Sequence, residues 1–174
     1  MTAPSSRNAR PGLARLSMRH RSTIALVSRY LGALAVLATG VDHLEQYIVD
    51  DYSTVPTIGT LFLLNFIGAI VIAVGLVAPL ERVAGRYTDA IRAVMAVGGI
   101  GLGVLSLAAL FVSEGSGLFG FVEHGYRMAI VVAIVVEAAA AVLLAVFLVA
   151  GGTGLAKLTR SPGLRGSGRR LRGT

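Results

Sequence analysis

The stretch TIGTLFLLNFIGAIVIAVGLVAPL, Thr57 to Leu80, has no charged side chain and a single carboxamide, Asn65. A helix needs about 20 predominantly apolar residues to cross a hydrocarbon core of about 30 Å. This run meets that length, and prolines mark its limits: Pro56 precedes it, with Ser53 or Thr54 available to cap, and Pro79 closes it. Three further apolar runs follow the same pattern: Ile24–Val41, Ala90–Val112 and Met128–Ala150. The first reaches spanning length only if its helix continues through His43 and Leu44. The chain therefore reads as all-α, a polytopic membrane protein forming a four-transmembrane-helix antiparallel bundle. The spans fall at about 24–47, 57–80, 90–112 and 128–150 of a domain covering 23–150.

Composition agrees. Of 174 residues, 55% are hydrophobic and 14% charged, with 22 glycines, and the mean hydropathy is +0.76. No cysteine is present, which excludes disulfides, thiolate metal sites and thiol redox chemistry. Only Lys157 among the 16 basic residues is lysine. With the Ala, Gly and Val richness, this suggests a GC-rich bacterial genome.

The charges give an orientation. Arg7, Arg10, Arg15, Arg19, Arg21 and Arg29 precede or enter span 1; Arg82, Arg86 and Arg92 bracket the link between spans 2 and 3; Lys157, Arg160, Arg165, Arg169, Arg170 and Arg172 follow span 4. Arg127 alone is left for the other side. Cytoplasmic segments carry the Lys/Arg excess, so both termini are expected inside a bacterial plasma membrane and the loops after spans 1 and 3 outside. Tyr47, Tyr52, Phe111, Phe119, Phe121 and Tyr126 gather at the outer ends, at headgroup level. The basic tails, 1–22 and 151–174, read as disordered and drawn to anionic lipid. They lack any nucleic-acid-binding module, so no nucleic acid partner is expected. A cleaved signal peptide is the competing reading of the first span.

In lipid, helices meet through small residues. Span 3 offers Ala96, Gly99, Gly103 and Ser106, with Gly99 and Gly103 forming a GxxxG; span 4 offers Ala129, Ala133, Glu137 and Ala141; span 2 places Gly68, Ala69 and Ala73 on the face of Asn65. These stripes suit internal packing, a homo-oligomer or a larger membrane complex.

Two constellations could carry chemistry. Glu137 lies about 13–14 Å below Met128 at 1.5 Å per residue, near mid-bilayer. A carboxylate there costs about 2.5–3.5 kcal/mol and marks a functional site by default. Asn65 lies at similar depth, and the plain alternative is a protonated Glu137 bonding Asn65, Ser106 or a backbone carbonyl as interhelical glue. The second group is at the outer boundary: Asp42, His43 and Glu45 end span 1, and Glu123 and His124 lead into span 4. If the two loops converge, they could ligate a divalent metal, or the histidines could hold a haem. Otherwise they are hydrogen-bonded boundary residues, His43 sharing its face with Gln46 and Tyr47. The glycine-rich loop SEGSGLFGFVEHGYR is either a lid over a polar pocket or an interfacial turn.

DHLEQY followed by YSTVPTIGTLFLLNFIGA, with FGFVEHGYR before span 4, resembles uncharacterised four-helix integral membrane proteins of high-GC Gram-positive bacteria. That resemblance implies the topology and no activity. The expectation is thus a small accessory protein holding an ion, haem, quinone or lipid head group in an outward-facing polar pocket. The alternative is a structural subunit without chemistry of its own. An autonomous enzyme ranks third, since no nucleophile–base pair or phosphate loop appears.

Overall fold

The computed structural model describes residues 11–122 and 128–151. It contains helices α1 (Pro11–Val49), α2 (Ile58–Val77), the short α3 (Glu81–Ala84), α4 (Thr88–Gly115) and α5 (Met128–Ala150). Among the described residues the only extended pairing is an isolated bridge between Leu118 and Phe121. Four helical segments are long and apolar enough to cross a membrane: Arg19–Val49, Ile58–Val77, Glu81–Gly115 and Ile130–Ala150.

The helix limits follow from local chemistry. α1 begins at Pro11, not at residue 23, so the second half of the expected disordered tail is helical. Pro11 takes the first helical position, where its missing N–H costs nothing, and the next residues include the good helix formers Leu13, Ala14, Arg15, Leu16 and Met18. Apolar periodicity is absent there, but intrinsic propensity is not. α1 stops where Asp51 adopts φ 60°, a left-handed conformation that aspartate tolerates. α2 stops at Ala78, which Pro79 forces into an extended conformation (ψ 147°).

The start of α2 differs from expectation. Neither Ser53 nor Thr54 caps it; the Thr54 hydroxyl instead donates to the Asp51 carbonyl at 2.8 Å. The helix is entered through a γ-turn centred on Thr57 (φ 68°, ψ −55°), closed by the Ile58 N–H donating to the Pro56 carbonyl at 2.8 Å. This positive-φ form is rare and strained. It brings the 3-10 turn Tyr52–Thr54 against the first turn of α2, so closely that a Cβ on Gly59 would lie 2.5 Å from the Tyr52 carbonyl oxygen.

Packing runs α1 on α2 and α5, and α4 on α2 and α5. The shared core is Ala25, Ala33 and Val36 of α1, Ala69 and Leu76 of α2, Ala96 of α4, and Ala140, Leu144 and Phe147 of α5. Small residues set the approach distances. A Cβ at Gly40 would meet Ala69 at 2.6 Å, one at Gly99 would meet Leu144 at 2.6 Å, and one at Gly103 would come within 3.2 Å of the Glu137 carbonyl oxygen. The GxxxG face of α4 is therefore occupied from within the chain. Gly68 faces Leu102, and Ala133 is buried. On α5 the buried stripe runs Ala133, Glu137, Ala140 and Leu144, turning away from Ala141. Outward faces carry Leu26, Leu34, Leu64, Val71, Leu105 and Val142, all exposed. Such surface suits hydrocarbon, not water.

Gly59→Ala should force the Tyr52 turn away and lower stability by about 1–3 kcal/mol. Gly101→Ala, where nothing lies within 4 Å of the added Cβ, should leave it unchanged or slightly higher. Thermal unfolding in detergent followed by circular dichroism separates the two.

Candidate functional site

Side chains from four elements converge at the end of the protein where α1 finishes and α2 begins. His43 and Gln46 come from α1, Phe62 and Asn65 from α2, Ser106 and Ser113 from α4, and Ile130, Ala133 and Glu137 from α5. Tyr52, Leu118 and Phe121 complete the wall from the loops, enclosing a cavity of about 120 Å³. A buried apolar cavity of roughly 150 Å³ accepts benzene, so the room here is on the scale of one ring or a few waters.

The floor is polar and highly ordered. Glu137 is 2% exposed. Its Oε1 lies 3.7 Å from His43 Nε2 and has no hydrogen-bond partner. His43 Nδ1 donates to the Thr39 carbonyl at 2.9 Å. A carbonyl only accepts, so the proton of a neutral imidazole resides on Nδ1 and Nε2 faces the cavity as an acceptor. Asn65 Nδ2 donates to Ser106 Oγ at 2.6 Å, and Ser106 and Glu137 line the same floor. Asn65 Oδ1 is left buried without a partner. Beside this chain Gln46 Nε2 donates to Asp42 Oδ2 at 2.7 Å, both groups buried.

The walls are aromatic. Phe62 lies 4.9 Å from the His43 ring, centroid to centroid, tilted at 46°. Tyr52 stacks on Phe62 at 4.8 Å and 11°, and Phe121 meets Tyr52 edge-on at 5.4 Å and 67°. Phe121 is held by a two-residue turn in which Phe119 and Gly120 both have positive φ, 52° and 80°. Leu118 and Phe121 exchange backbone hydrogen bonds of 2.7 and 2.9 Å across it. The LFGF segment is thus an ordered turn whose two ends form part of the cavity wall.

The structure brings together Asn65, Ser106, Glu137 and His43, with Asp42 one helical position away. Asn65 and Ser106 are hydrogen-bonded across α2 and α4, with the Glu137 side chain on the same floor. Glu45 is exposed and takes no part: one position around the helix from buried residues at 42, 43 and 46, it faces away. Glu123 and His124 lie outside the described residues, and among the described residues no three His, Asp or Glu side chains group as metal ligands. The sequence reading did not assign Thr39, Phe62, Ser113 or Leu118 to the site. Thr39 and Gln46 were findable, since each lies at i±4 spacing from His43 or Asp42. Ser113 and Leu118 lie in the stretch read as a lid or an interfacial turn, which marks the segment but not these two side chains. Comparison of the chain with protein-family models, curated proteins and solved structures finds no match.

A double-mutant cycle on Asn65→Ala and Ser106→Ala should return a coupling of about 0.5–2 kcal/mol in detergent unfolding. A coupling near zero would mean that the bond contributes nothing to holding α2 against α4.

Proposed function

We propose that this chain is a multi-pass protein of the bacterial plasma membrane, an antiparallel four-helix bundle with both termini cytoplasmic. In this reading it binds a small ligand in a pocket facing outward. The distribution of arginine supports that orientation: the pocket end carries Asp42, Glu45, Asp50, Asp51 and Glu114, whereas Arg29, Arg82, Arg86 and Arg92 lie toward the opposite end.

The observation that carries the binding reading is the buried, unpartnered Glu137 Oε1 beside His43 Nε2 at the cavity floor. Leaving buried polar atoms unpaired costs about 1–3 kcal/mol each, and Asn65 Oδ1 adds a second orphan. Asn65 Oδ1 and Nε2 of the neutral imidazole are acceptors, and an ionised Glu137 Oε1 is a third. A ligand that satisfies them must bring hydrogen-bond donors. The aromatic walls of Phe62, Tyr52 and His43 suit a flat ring. Together they describe one ring bearing hydroxyl or amino groups, the chemistry of a reduced quinone head group. The volume fits one such ring better than a haem.

The alternative, a structural subunit of a larger membrane complex without chemistry of its own, relied on the glycine and alanine stripes as external contacts. Occupation of Gly99, Gly103 and Ala133 within the chain weakens it.

Calorimetry on the detergent-purified protein under argon tests the pocket. Hydroquinone should bind saturably, and 1,4-dimethoxybenzene, the same ring without donors, about tenfold or more weakly, as should hydroquinone to Glu137→Leu. Equal binding of the two probes would reduce the site to an apolar hole, and no saturable binding of either would favour the structural subunit. Orientation has its own test, made clean by the absence of native cysteine. In intact spheroplasts a membrane-impermeant maleimide should label Glu45→Cys, and should label Lys157→Cys only after lysis.

A further inference from the structure

A second cavity lies at the opposite end, between the first membrane turns of α1, the start of α4 and the end of α5. Ser22, Ala25, Leu26, Arg29, Asp89, Arg92, Phe147 and Gly151 line it. Arg29 and Arg92 are 8% and 9% exposed, an unusual depth for two guanidinium groups lining one space. Arg92 is partly satisfied: Nη1 is 2.7 Å from Glu81 Oε1, and Nη2 donates to the Ala78 carbonyl at 3.3 Å. Arg29 lies over the Tyr30 ring at 4.7 Å and forms no ion pair with the described carboxylates. The Nε atoms of both arginines are buried without a partner.

A buried guanidinium without a counter-charge is costly, and a carboxylate in water compensates it poorly. Glu81 is 62% exposed, and Asp89 is exposed at the cavity rim. Neither forms an ion pair with Arg29, although the charge of Arg29 is felt at Glu81. The fork of an arginine matches the oxyanions of a phosphate, and paired forks match them better. The cavity also has apolar walls: Ala25 and Phe147 are buried in it, and Leu26 is exposed beside it. A ligand here therefore meets two guanidinium groups next to hydrocarbon.

We propose that Arg29 and Arg92 form an anion site that holds a phosphate group, supplied by the headgroup of an anionic phospholipid in the leaflet at this end. A basic pocket between spanning helices at the headgroup level is the setting in which such lipids are bound individually. This site is distinct from any attraction of the Arg-containing segments 1–10 and 152–174, which lie in sequence outside α1 and α5, and it is independent of the ligand proposed for the other end. With the termini cytoplasmic, the leaflet is the inner one.

Native mass spectrometry of the delipidated full-length chain tests this, with thermal unfolding alongside. Phosphatidylglycerol added to the micelles should give one retained lipid per chain and a higher unfolding temperature, and phosphatidylcholine should give neither. Inorganic phosphate and sn-glycerol 1-phosphate form the soluble arm; stabilisation by these at similar concentration would support the phosphate site and overturn the lipid as its source. Arg29→Gln should weaken retention by about tenfold or more, as expected for losing one charge-assisted hydrogen bond. Arg29→Lys should restore part of it, and Arg169→Gln/Arg170→Gln in the tail should leave it unchanged. Retention that survives Arg29→Gln and Arg92→Gln, or that disappears with the tail variant, would overturn the proposal. If Arg29→Gln fails to fold, loss of retention in Arg92→Gln supports it and unaltered retention there overturns it.

Discussion

The close approach of α4 to α5 at Gly103 governs the rest of the architecture. Lipid gives helices no hydrophobic reason to associate, so contact depends on how near two backbones can come. At Gly103 a single added carbon would stand 3.2 Å from the carbonyl oxygen of Glu137. The same absence of a side chain that lets α5 settle there also places the Glu137 carboxyl beside Ser106, one helical turn along α4. Gly99, a turn the other way, seats Leu144 and Val36. One small-residue stripe thus builds the apolar core in one direction and the polar floor in the other.

The floor owes its strength to neighbours that leave little freedom. Thr39 fixes the imidazole from within α1, and Asn65 and Ser106 fix each other across α2 and α4. The strained γ-turn at Thr57 and the bare Cα of Gly59 bring Tyr52 into stacking range of Phe62. Backbone strain persists only where the surroundings over-determine it, and here it adjoins the aromatic wall of a cavity with unsatisfied polar atoms. The stacked Tyr52 and Phe62 and the unpartnered Glu137 Oε1 and Asn65 Oδ1 thus meet around one cavity.

Much of this was legible in the residues. Length and polarity located all four spans, because a hydrocarbon slab imposes one length scale on every helix that crosses it. Glu137, Asn65 and Ser106 were recognisable together, since polar groups at equal depth in a dry medium have few partners but each other. Glu45 falls outside the cavity, because three acidic or imidazole side chains in four residues cannot all share one helix face. The disordered extent of the N-terminal tail was overestimated because helix propensity operates without amphipathicity. Arg29 was read as part of a topological charge count, although its position seven residues before Val36 and fourteen before His43 puts it on the same buried stripe. Loop contributions such as Leu118 depend on how a turn folds over the helices, which spacing along a helix does not encode.

That shared stripe has a consequence for what the protein can do. Between the polar floor at His43 and the arginines at the other end, α1 presents Val36 and Ala33 to Ala69, Leu76, Ala96, Ala140 and Leu144, all buried. Arg29 and His43 are separated by about 21 Å along the helix axis, and an aliphatic plug fills the interval. Among the described residues no chain of hydrogen-bonding side chains crosses that plug, and the hydroxyl of Thr39 is turned back onto the Ala35 carbonyl. The polar floor and the arginine-lined cavity are thus two separate chambers, divided by the packed side chains of Val36, Leu76 and Leu144.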